Sequence, residues 1–517
     1  MLKDVTINNE PIKIKRALIS VYDKTNVEKL AESLIKNDIQ IISTGGTAEI
    51  LIKNEIPITK INDFTGFPEI FDGRVKTLNP SIAGGILGLR DVHDNEITAN
   101  RIEMIDLVVC NLYPFVETIS KDGCTLSTAL ENIDIGGPTM IRSAAKNVGW
   151  TCVVVEPSDY TLLIEQIDNG GNISYNFRSA MSRKAFSLTA QYESSIDKYL
   201  SNDELPDKLN LSFTKFQDLR YGENPQQKSS VYLDNSSHFG ILNSQMHQGK
   251  KLSYNNIMDA DAAVSCITEF SKPGCVVIKH ANPCGAAIGN NIDEAFVRAI
   301  ESDKLSAFGG IVALNKECTA RIANYLKDFF IEIIIAPSFS TEALDIFSAK
   351  KNLRVIELND IDDFKSPTNL RHIHGGILVQ EEDSVLLKID SLETVTKTLT
   401  NDSINETLSF GWSVLKYIKS NAILIAKDCS TVSIGAGQVS RVDSVNIALS
   451  KLPENIDNAI LFSDAFFPFR DSIDQIAKAG IKTVVQPGGS VRDAEVINAC
   501  NEHGITMMFT GYRCFKH

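Results

Sequence analysis

The chain reads as an α/β protein built on mainly parallel sheets, with its chemistry gathered at strand ends. Short apolar runs rich in Ile, Val and Cys, such as Ala17–Val21, Leu107–Cys110 and Cys275–Ile278, have the length and composition of buried strands. Segments with helical spacing of apolar residues lie between such runs, and this alternation favours parallel pairing with helices on both faces. Loops rich in Gly, Ser, Thr and charged residues follow the runs, where open α/β sheets collect ligands.

Totals narrow the class. A chain of 517 residues should form two to four units at about 150 residues per domain, and 43% hydrophobic with 22% charged residues fits a soluble globular protein. The formal charge of −14, from 51 basic and 65 acidic residues, argues against nucleic acid or anionic membranes as partners, so a phosphate must be met by local cations and backbone amides. Ten cysteines without a C-x-x-C fit reduced thiols rather than a zinc knuckle or disulfide framework. The first fifteen residues hold no apolar signal core and no stretch approaches 18 apolar residues, so the expected location is the cytoplasm.

Taken in order, Ala17–Val21 is a strand with Tyr22, Asp23 and Lys24 as its exit loop. Thr25 and Glu28 have capping-box spacing ahead of a helix with Val27, Leu30, Ala31, Leu34 and Ile35 on one face. The next strand, Ile39–Ile42, runs into Ser43, Thr44, Gly45, Gly46 and Thr47 before a helix begins at Ala48. Converging amides and hydroxyls at a helix start suit a phosphate, although the same residues also make a tight turn. In Asp72-Gly73-Arg74-Val75-Lys76-Thr77-Leu78-Asn79-Pro80, an extended backbone would set Arg74 and Lys76 on one side as an anion clamp or a solvated basic edge. Leu107–Cys110 is a strand ending in Asn111. Asp134, Ile135, Gly136 and Gly137 precede a helix carrying Met140, Ile141, Ala144, Ala145 and Lys146, and Thr151–Val155 is a further strand.

The polar stretch Asn202-Asp203-Glu204-Leu205-Pro206-Asp207-Lys208 marks the domain boundary. Beyond it, Arg220 and Tyr221 could take a phosphate and a stacked ring, or belong to a surface loop. The strand Cys275–Ile278 stops on Lys279 and His280 before Pro283 and Gly285 turn the chain, and Ile292–Ser302 follows as a helix. A histidine can take a proton near neutral pH while an adjacent lysine offsets charge on a carbonyl oxygen. That pairing suits acyl or formyl transfer to a poor amine nucleophile; a surface Lys-His pair is the plain alternative. Pro283-Cys284 lacks an H-x-E and a second cysteine two residues on, so no zinc is expected, and Gly435-x-Gly437-x-x-Ser440 is a weak dinucleotide match. The apolar, aromatic carboxyl end should dock, with Arg513 a candidate anion ligand.

Together the segments S-T-G-G-T, G-R-V-K-T-L, D-I-G-G-P, L-R-Y-G-E-N-P, K-H-A-N-P-C-G, K-S-N-A-I, G-A-G-Q-x-S-R and S-D-A-F-F-P-F-R-D, in that order along the whole chain, resemble the bifunctional purine biosynthesis family of AICAR formyltransferase and IMP cyclohydrolase. The resemblance implies a methylglyoxal-synthase-like cyclohydrolase domain over residues 1–201. A formyltransferase domain follows over 202–517, as two cytidine-deaminase-like α/β subdomains without zinc, roughly 202–368 and 369–517. It implies that a formyl group passes from 10-formyltetrahydrofolate to the 5-amino group of AICAR, and that the product, FAICAR, closes to IMP with loss of water. By the family pattern Tyr22, Asp23, Lys24, Ser43, Thr44, Gly45, Gly46, Arg74, Val75, Lys76, Thr77, Cys110, Asn111, Asp134 and Ile135 line the nucleotide site, and Lys146 matches a proton-transferring lysine.

In the second half the same pattern makes His280 the base, Lys279 the group that stabilises the transition state, and Asn421 a residue that helps place the substrate. Arg220, Tyr221, Gly309, Glu332, Arg441, Phe466 and Arg513 fall on substrate positions, and Val442, Asp471 and Ser490 on folate positions. A homodimer is implied, with this site at the subunit interface. Asn79, Ala83 and Gln226 depart from the histidines common in the family. Asn79 and Ala83, close to the clamp, suggest as a rival a transferase whose first domain binds nucleotide without cyclising it, and a nucleotide sensor without turnover is a rival of a different class.

Overall fold

Side chains alternate across a strand, and in the first unit both faces of a five-stranded sheet are covered as that alternation requires. In the computed structural model of the chain, residues 6–71, 73–201, 203–234, 239–359, 361, 368–400 and 402–517 are described, so Asp72 and Asn202 lie outside the described residues. Two units are present, one ending at Ser212 and one running from Phe213 to His517.

The first unit contains strands β1 (Arg16–Ser20), β2 (Gln40–Ser43), β3 (Thr59–Lys60), β4 (Leu107–Cys110) and β5 (Cys152–Val154), in the all-parallel order β3-β2-β1-β4-β5. Its helices include α1 (Val27–Lys36), α2 (Gly45–Lys53), α3 (Pro80–Leu87), α4 (Gly136–Lys146), α5 (Tyr160–Asp168) and α6 (Tyr175–Leu200). Ala17, Ile19, Ile41, Val109 and Val154 face α1 and α5, while Leu18, Ile42, Val108 and Val153 face α3 and α4. The buried Arg178 of α6 donates to the carbonyls of Asn8, Glu10, Val148, Gly149 and Ile173 at 2.6–3.2 Å, tying the amino-terminal segment down.

Three local expectations are corrected here. The capping box at Thr25 does not form: Asn26, at φ 59°, precedes α1, and the Thr25 amide donates instead to Asp23 Oδ1 at 2.9 Å. Gly45 and Gly46 form the first turn of α2 rather than a loop before it. Residues 73–77 turn and bend, with Val75 bridged to Ile70, so Arg74 and Lys76 do not share an extended face.

The second unit is organised by a twelve-stranded mixed sheet. In chain order its strands are β6 (Gln245–Gln248), β7 (Gly274–Lys279), β8 (Asn282–Ile288), β9 (Ile311–Leu314), β10 (Ile333–Ala336), β11 (Arg354–Glu357), β12 (Glu393–Thr394), β13 (Ile423–Lys427), β14 (Ser430–Gly435), β15 (Ile460–Ser463), β16 (Thr483–Gln486) and β17 (Thr506–Phe509). Their spatial order, β6-β11-β10-β9-β7-β8-β14-β13-β15-β16-β17-β12, is two six-stranded halves repeating one plan and meeting where β8 pairs β14. Helices α7 (Tyr254–Ile267) and α9 (Asn405–Leu415) cover one face of the joined sheet, and α8 (Ile292–Ser302) and α10 (Arg441–Ser450) cover the other.

Each half carries the same hairpin: β7 and β8 turn through His280 and Ala281 (φ 53° and 55°), β13 and β14 through Asp428 and Cys429 (φ 48° and 57°). Left-handed residues at both turn positions suit the twist of a two-residue hairpin. The expected turn at Pro283 and Gly285 is therefore corrected: both lie within β8. Because β7–β8, β8–β14 and β14–β13 are all antiparallel, the exit of β7 and the start of β13 fall on the same edge of the sheet.

Candidate active sites

A cavity of about 890 Å³ sits at the carboxyl ends of the parallel strands in the first unit, lined by Tyr22, Lys24, Thr44, Gly45, Gly46, Arg74, Lys76, Thr77, Cys110, Asn111, Asp134 and Ile135 among others. At one end of it three groups meet that together suit an anion. Thr44 precedes α2 with its buried Oγ1 unpartnered, beside the first amides of the helix. Lys76 Nζ lies 3.6 Å from where a Cβ on Gly45 would stand. A helix start, a free hydroxyl and a cation together favour a phosphate.

The opposite wall is set by burial. Asp134 Oδ1 accepts from the Gly137 amide at 2.8 Å at the start of α4. Burial pushes its carboxyl above the ordinary range, while that amide and Lys76 pull the other way. Burial also raises the Cys110 thiol, leaving it neutral and a wall rather than a nucleophile. Asn111 is committed to the β1 exit loop: its Oδ1 accepts from the amides of Tyr22 (2.6 Å) and Asp23 (3.0 Å). Ser43, wholly buried, donates to the Ile19 carbonyl and ties β2 to β1. Arg74 is paired with Glu131 at the rim. Lys146 is the last residue of α4, exposed, about 15 Å along the helix from the end that meets the cavity. Asn79 caps α3, accepting from the Ser81 amide at 2.8 Å.

In the second unit the shared sheet edge gathers the predicted residues. Lys279 ends β7 with Nζ on the Phe308 carbonyl, 3.3 Å from where a Cβ on Gly309 (φ 72°) would stand. His280 is exposed on the turn. Glu332, just before β10, pairs with Arg354 at 2.7 Å. Asn421, just before β13, donates through Nδ2 to the Gln438 carbonyl at 2.8 Å and accepts from Arg441 Nη2 at 2.7 Å. The other side of Arg441 is spent on Asp464, which is fully buried, at 2.5 Å and on Ser463 Oγ at 2.8 Å. These three hydrogen bonds of Arg441 all run inward, to Ser463, Asp464 and Asn421. The carboxyl end docks as expected: the Cys514 amide reaches the Asp464 carbonyl at 3.1 Å, and the Ser420 amide the Lys516 carbonyl at 2.9 Å. On that docked tail Arg513 stacks 4.8 Å over Phe515, and Phe466, two residues beyond Asp464, is 40% exposed.

The remaining predicted residues are more dispersed. Val442 lies in the first turn of α10; Asp471 starts a helix and accepts from the Ser472 amide; Ser490 Oγ accepts from the Arg492 amide. Arg220 covers the ring of its own neighbour Tyr221 at 5.4 Å, and their loop meets α7 through Asn255 Nδ2 and the Glu223 carbonyl at 3.4 Å. Asp259, Asn282 and Gln438 organise the edge without being marked by the sequence as site residues, and Asp464 is marked only as a distant acidic partner for the weak dinucleotide match; Asn282, Gln438 and Asp464 stand inside motifs already noted, which is the signal that could find them. Among the described residues no three His, Cys, Asp or Glu side chains gather as a metal site would need, and no helix is long and apolar enough to cross a membrane.

Comparison with known proteins matches residues 144–451 to the AICARFT/IMPCHase bienzyme family and residues 26–139 to the MGS-like domain. The bifunctional purine biosynthesis protein PurH of Bacillus cytotoxicus is 47% identical over 513 residues, covering 97% of this chain and all of the relative. The Bacillus cereus protein of the same name is 46% identical over equal coverage. A solved structure titled "Crystal structure of ForH" is 33% identical and covers 36% of this chain and 95% of its own, at a TM-score of 0.34, too loose a superposition to bear on the fold. The chain belongs to the AICARFT/IMPCHase bienzyme family.

Proposed function

We propose that the two strand-end sites divide two successive reactions between the units. The chain is a bifunctional enzyme of purine biosynthesis, an AICAR formyltransferase and IMP cyclohydrolase. The alternative, a first domain that binds nucleotide without closing it, is disfavoured by the end-to-end match with bifunctional relatives. We assign cyclisation to residues 1–201 and formyl transfer to 202–517, the latter as halves of roughly 202–368 and 369–517.

In formyl transfer, His280 takes the proton from the 5-amino nitrogen of AICAR as that nitrogen bonds to the formyl carbon. The Lys279 ammonium offsets charge on the formyl oxygen, and the bond from that carbon to folate N10 breaks, N10 taking up a proton as tetrahydrofolate leaves. Asn421, held by Arg441 and Gln438, places the substrate, with Gly309, Glu332, Phe466 and Arg513 around it and Val442, Asp471 and Ser490 toward the folate. The single observation behind this reading is that Lys279, His280 and Asn421, far apart in sequence, share one sheet edge. In cyclisation, the Thr44–Gly46 turn and Lys76 hold the phosphate, and Asp134 faces the closing ring. Lys146, at the far end of α4, would need a second chain or a rearrangement to take part in proton transfer.

A homodimer with the transferase site at the interface is the arrangement the family resemblance implies, and Leu305, Val439 and Val491, 89%, 101% and 103% exposed, are apolar side chains that a second chain could cover. A cytoplasmic setting suits the absence of disulfides among ten cysteines. Purified protein given AICAR and 10-formyltetrahydrofolate should yield both tetrahydrofolate and IMP; tetrahydrofolate without IMP would leave the transferase alone.

A further inference from the structure

The turn that carries His280 is held by two side chains with no part assigned to them. His280 and Ala281 both adopt left-handed backbone, which residues bearing a Cβ enter reluctantly and keep only where neighbours fix it. Asp259, one turn into α7, accepts the Ala281 amide on Oδ1 at 2.7 Å, and the His280 amide also helps to hold its carboxylate. The same carboxylate lies close to Lys279 and His280. On the other side of the turn, Asn282 donates through Nδ2 to the His280 carbonyl at 3.2 Å, while its Oδ1 accepts the Lys419 amide at 3.0 Å. Lys419 lies two residues before Asn421. One amide side chain thus joins the half of the sheet that bears the base to the half that bears the substrate-placing asparagine.

The repeated hairpin provides an internal comparison. Lys427, Asp428, Cys429 and Ser430 stand where Lys279, His280, Ala281 and Asn282 stand in the first, so serine replaces the bridging asparagine. There Cys429 is held through its amide by Thr407 Oγ1 at 3.2 Å, from α9, as Ala281 is held by Asp259 from α7. Both turns have a helix-borne acceptor and both are tied to the facing half, the second through the Ile288 amide on the Cys429 carbonyl at 2.9 Å and Arg298 on the Asp428 carbonyl. The turn with the imidazole differs in that its acceptor is a carboxylate and its tie is a side chain reaching the loop of Asn421.

We propose that Asp259 and Asn282 are positioning residues for formyl transfer, Asp259 pinning the His280 turn to α7 and Asn282 holding that turn in register with the loop of Asn421. The inference rests on His280 being the base. Misplacing a reacting group by about 1 Å costs up to about 10²-fold in rate, and turnover suffers more than binding.

The test compares Asp259→Ala, Asp259→Asn, Asn282→Ala and His280→Ala in the full-length protein. Formyl-transfer kcat and KM for AICAR are measured, Trp412 fluorescence in a Trp150→Phe background checks the fold of the second unit, and FAICAR cyclisation checks the first. Asp259→Ala should lower kcat about tenfold or more with KM within about twofold, Asp259→Asn should return to within about threefold of the native rate because its amide oxygen still accepts the Ala281 amide, and Asn282→Ala should lose about fivefold in kcat. If Asp259→Ala does not fold, Asn282→Ala decides the matter by the same kcat criterion. A kcat unchanged in folded Asp259→Ala or Asn282→Ala, an Asp259→Asn no better than the alanine variant, or a loss confined to KM would overturn the inference. A silent His280→Ala would overturn the underlying assignment instead.

Discussion

Replacing Arg441 by alanine strips a buried carboxylate of its counter-charge. Asp464 is wholly buried, Arg441 is 7% exposed along its side chain, and Nη1 stands 2.5 Å from Oδ1. Removing one partner of a buried ion pair costs about 3–5 kcal/mol, because the remaining charge is left without compensation. Ser420 Oγ still donates to Asp464 Oδ2 at 2.5 Å, which places the loss toward the lower end, about 3 kcal/mol. Asn421 loses its Nη2 donor in the same step, so formyl-transfer kcat falls with stability. The chain has two tryptophans, Trp150 and Trp412, and Trp412 is buried in the second unit. In a Trp150→Phe background, urea unfolding followed by its fluorescence therefore reports that unit. A destabilisation below about 1 kcal/mol together with a raised KM would refute the reasoning, since it would mean that Arg441 contacts ligand rather than Asp464.

Lys76→Ala removes the cation beside the α2 turn and should raise the KM for FAICAR about tenfold or more while formyl transfer is unchanged, measured on one preparation. Arg178→Ala leaves five backbone carbonyls without their buried donor, at about 1–3 kcal/mol for each one left unsatisfied; the first unit should unfold at lower urea and lose cyclisation, with formyl transfer retained. Asp474, hydrogen-bonded by Arg470 and His503, titrates at about 2 rather than its ordinary 3.8. A depressed carboxylate adds stability above its unfolded value and loses it as pH falls through the folded one, so Asp474→Asn should flatten the decline of Tm between about pH 4 and pH 2.

Much of the scaffold was legible because local pattern and final structure agree. Leu107–Cys110 and Ile292–Ser302 form the predicted strand and helix, buried on the faces their spacing marks. The alternation of strand and helix in the first two hundred residues gives the parallel sheet, with the Thr44–Gly46 turn where glycines and a helix start coincide. The second unit was less transparent. A strand ending on Lys279 was read as an exit toward a helix, whereas a two-residue turn sends it straight back, and nothing in His-Ala announces left-handed backbone as Asn-Gly would. The edge where Lys279, His280 and Asn421 meet depends on β8 pairing with β14, a contact between segments far apart in sequence. Side-chain commitments were equally hidden: that Arg441 turns inward to Asp464, and Asn111 to its own loop, follows only from packing.

The central claim is that two sites act independently on two units. The most direct measurement is both activities of His280→Ala on a single preparation, formyl transfer followed by tetrahydrofolate release and cyclisation by IMP formed from supplied FAICAR. Formyl transfer should fall by about 10² or more while cyclisation stays within about twofold of the native rate. Equal loss of both activities, or undiminished formyl transfer, would contradict the account.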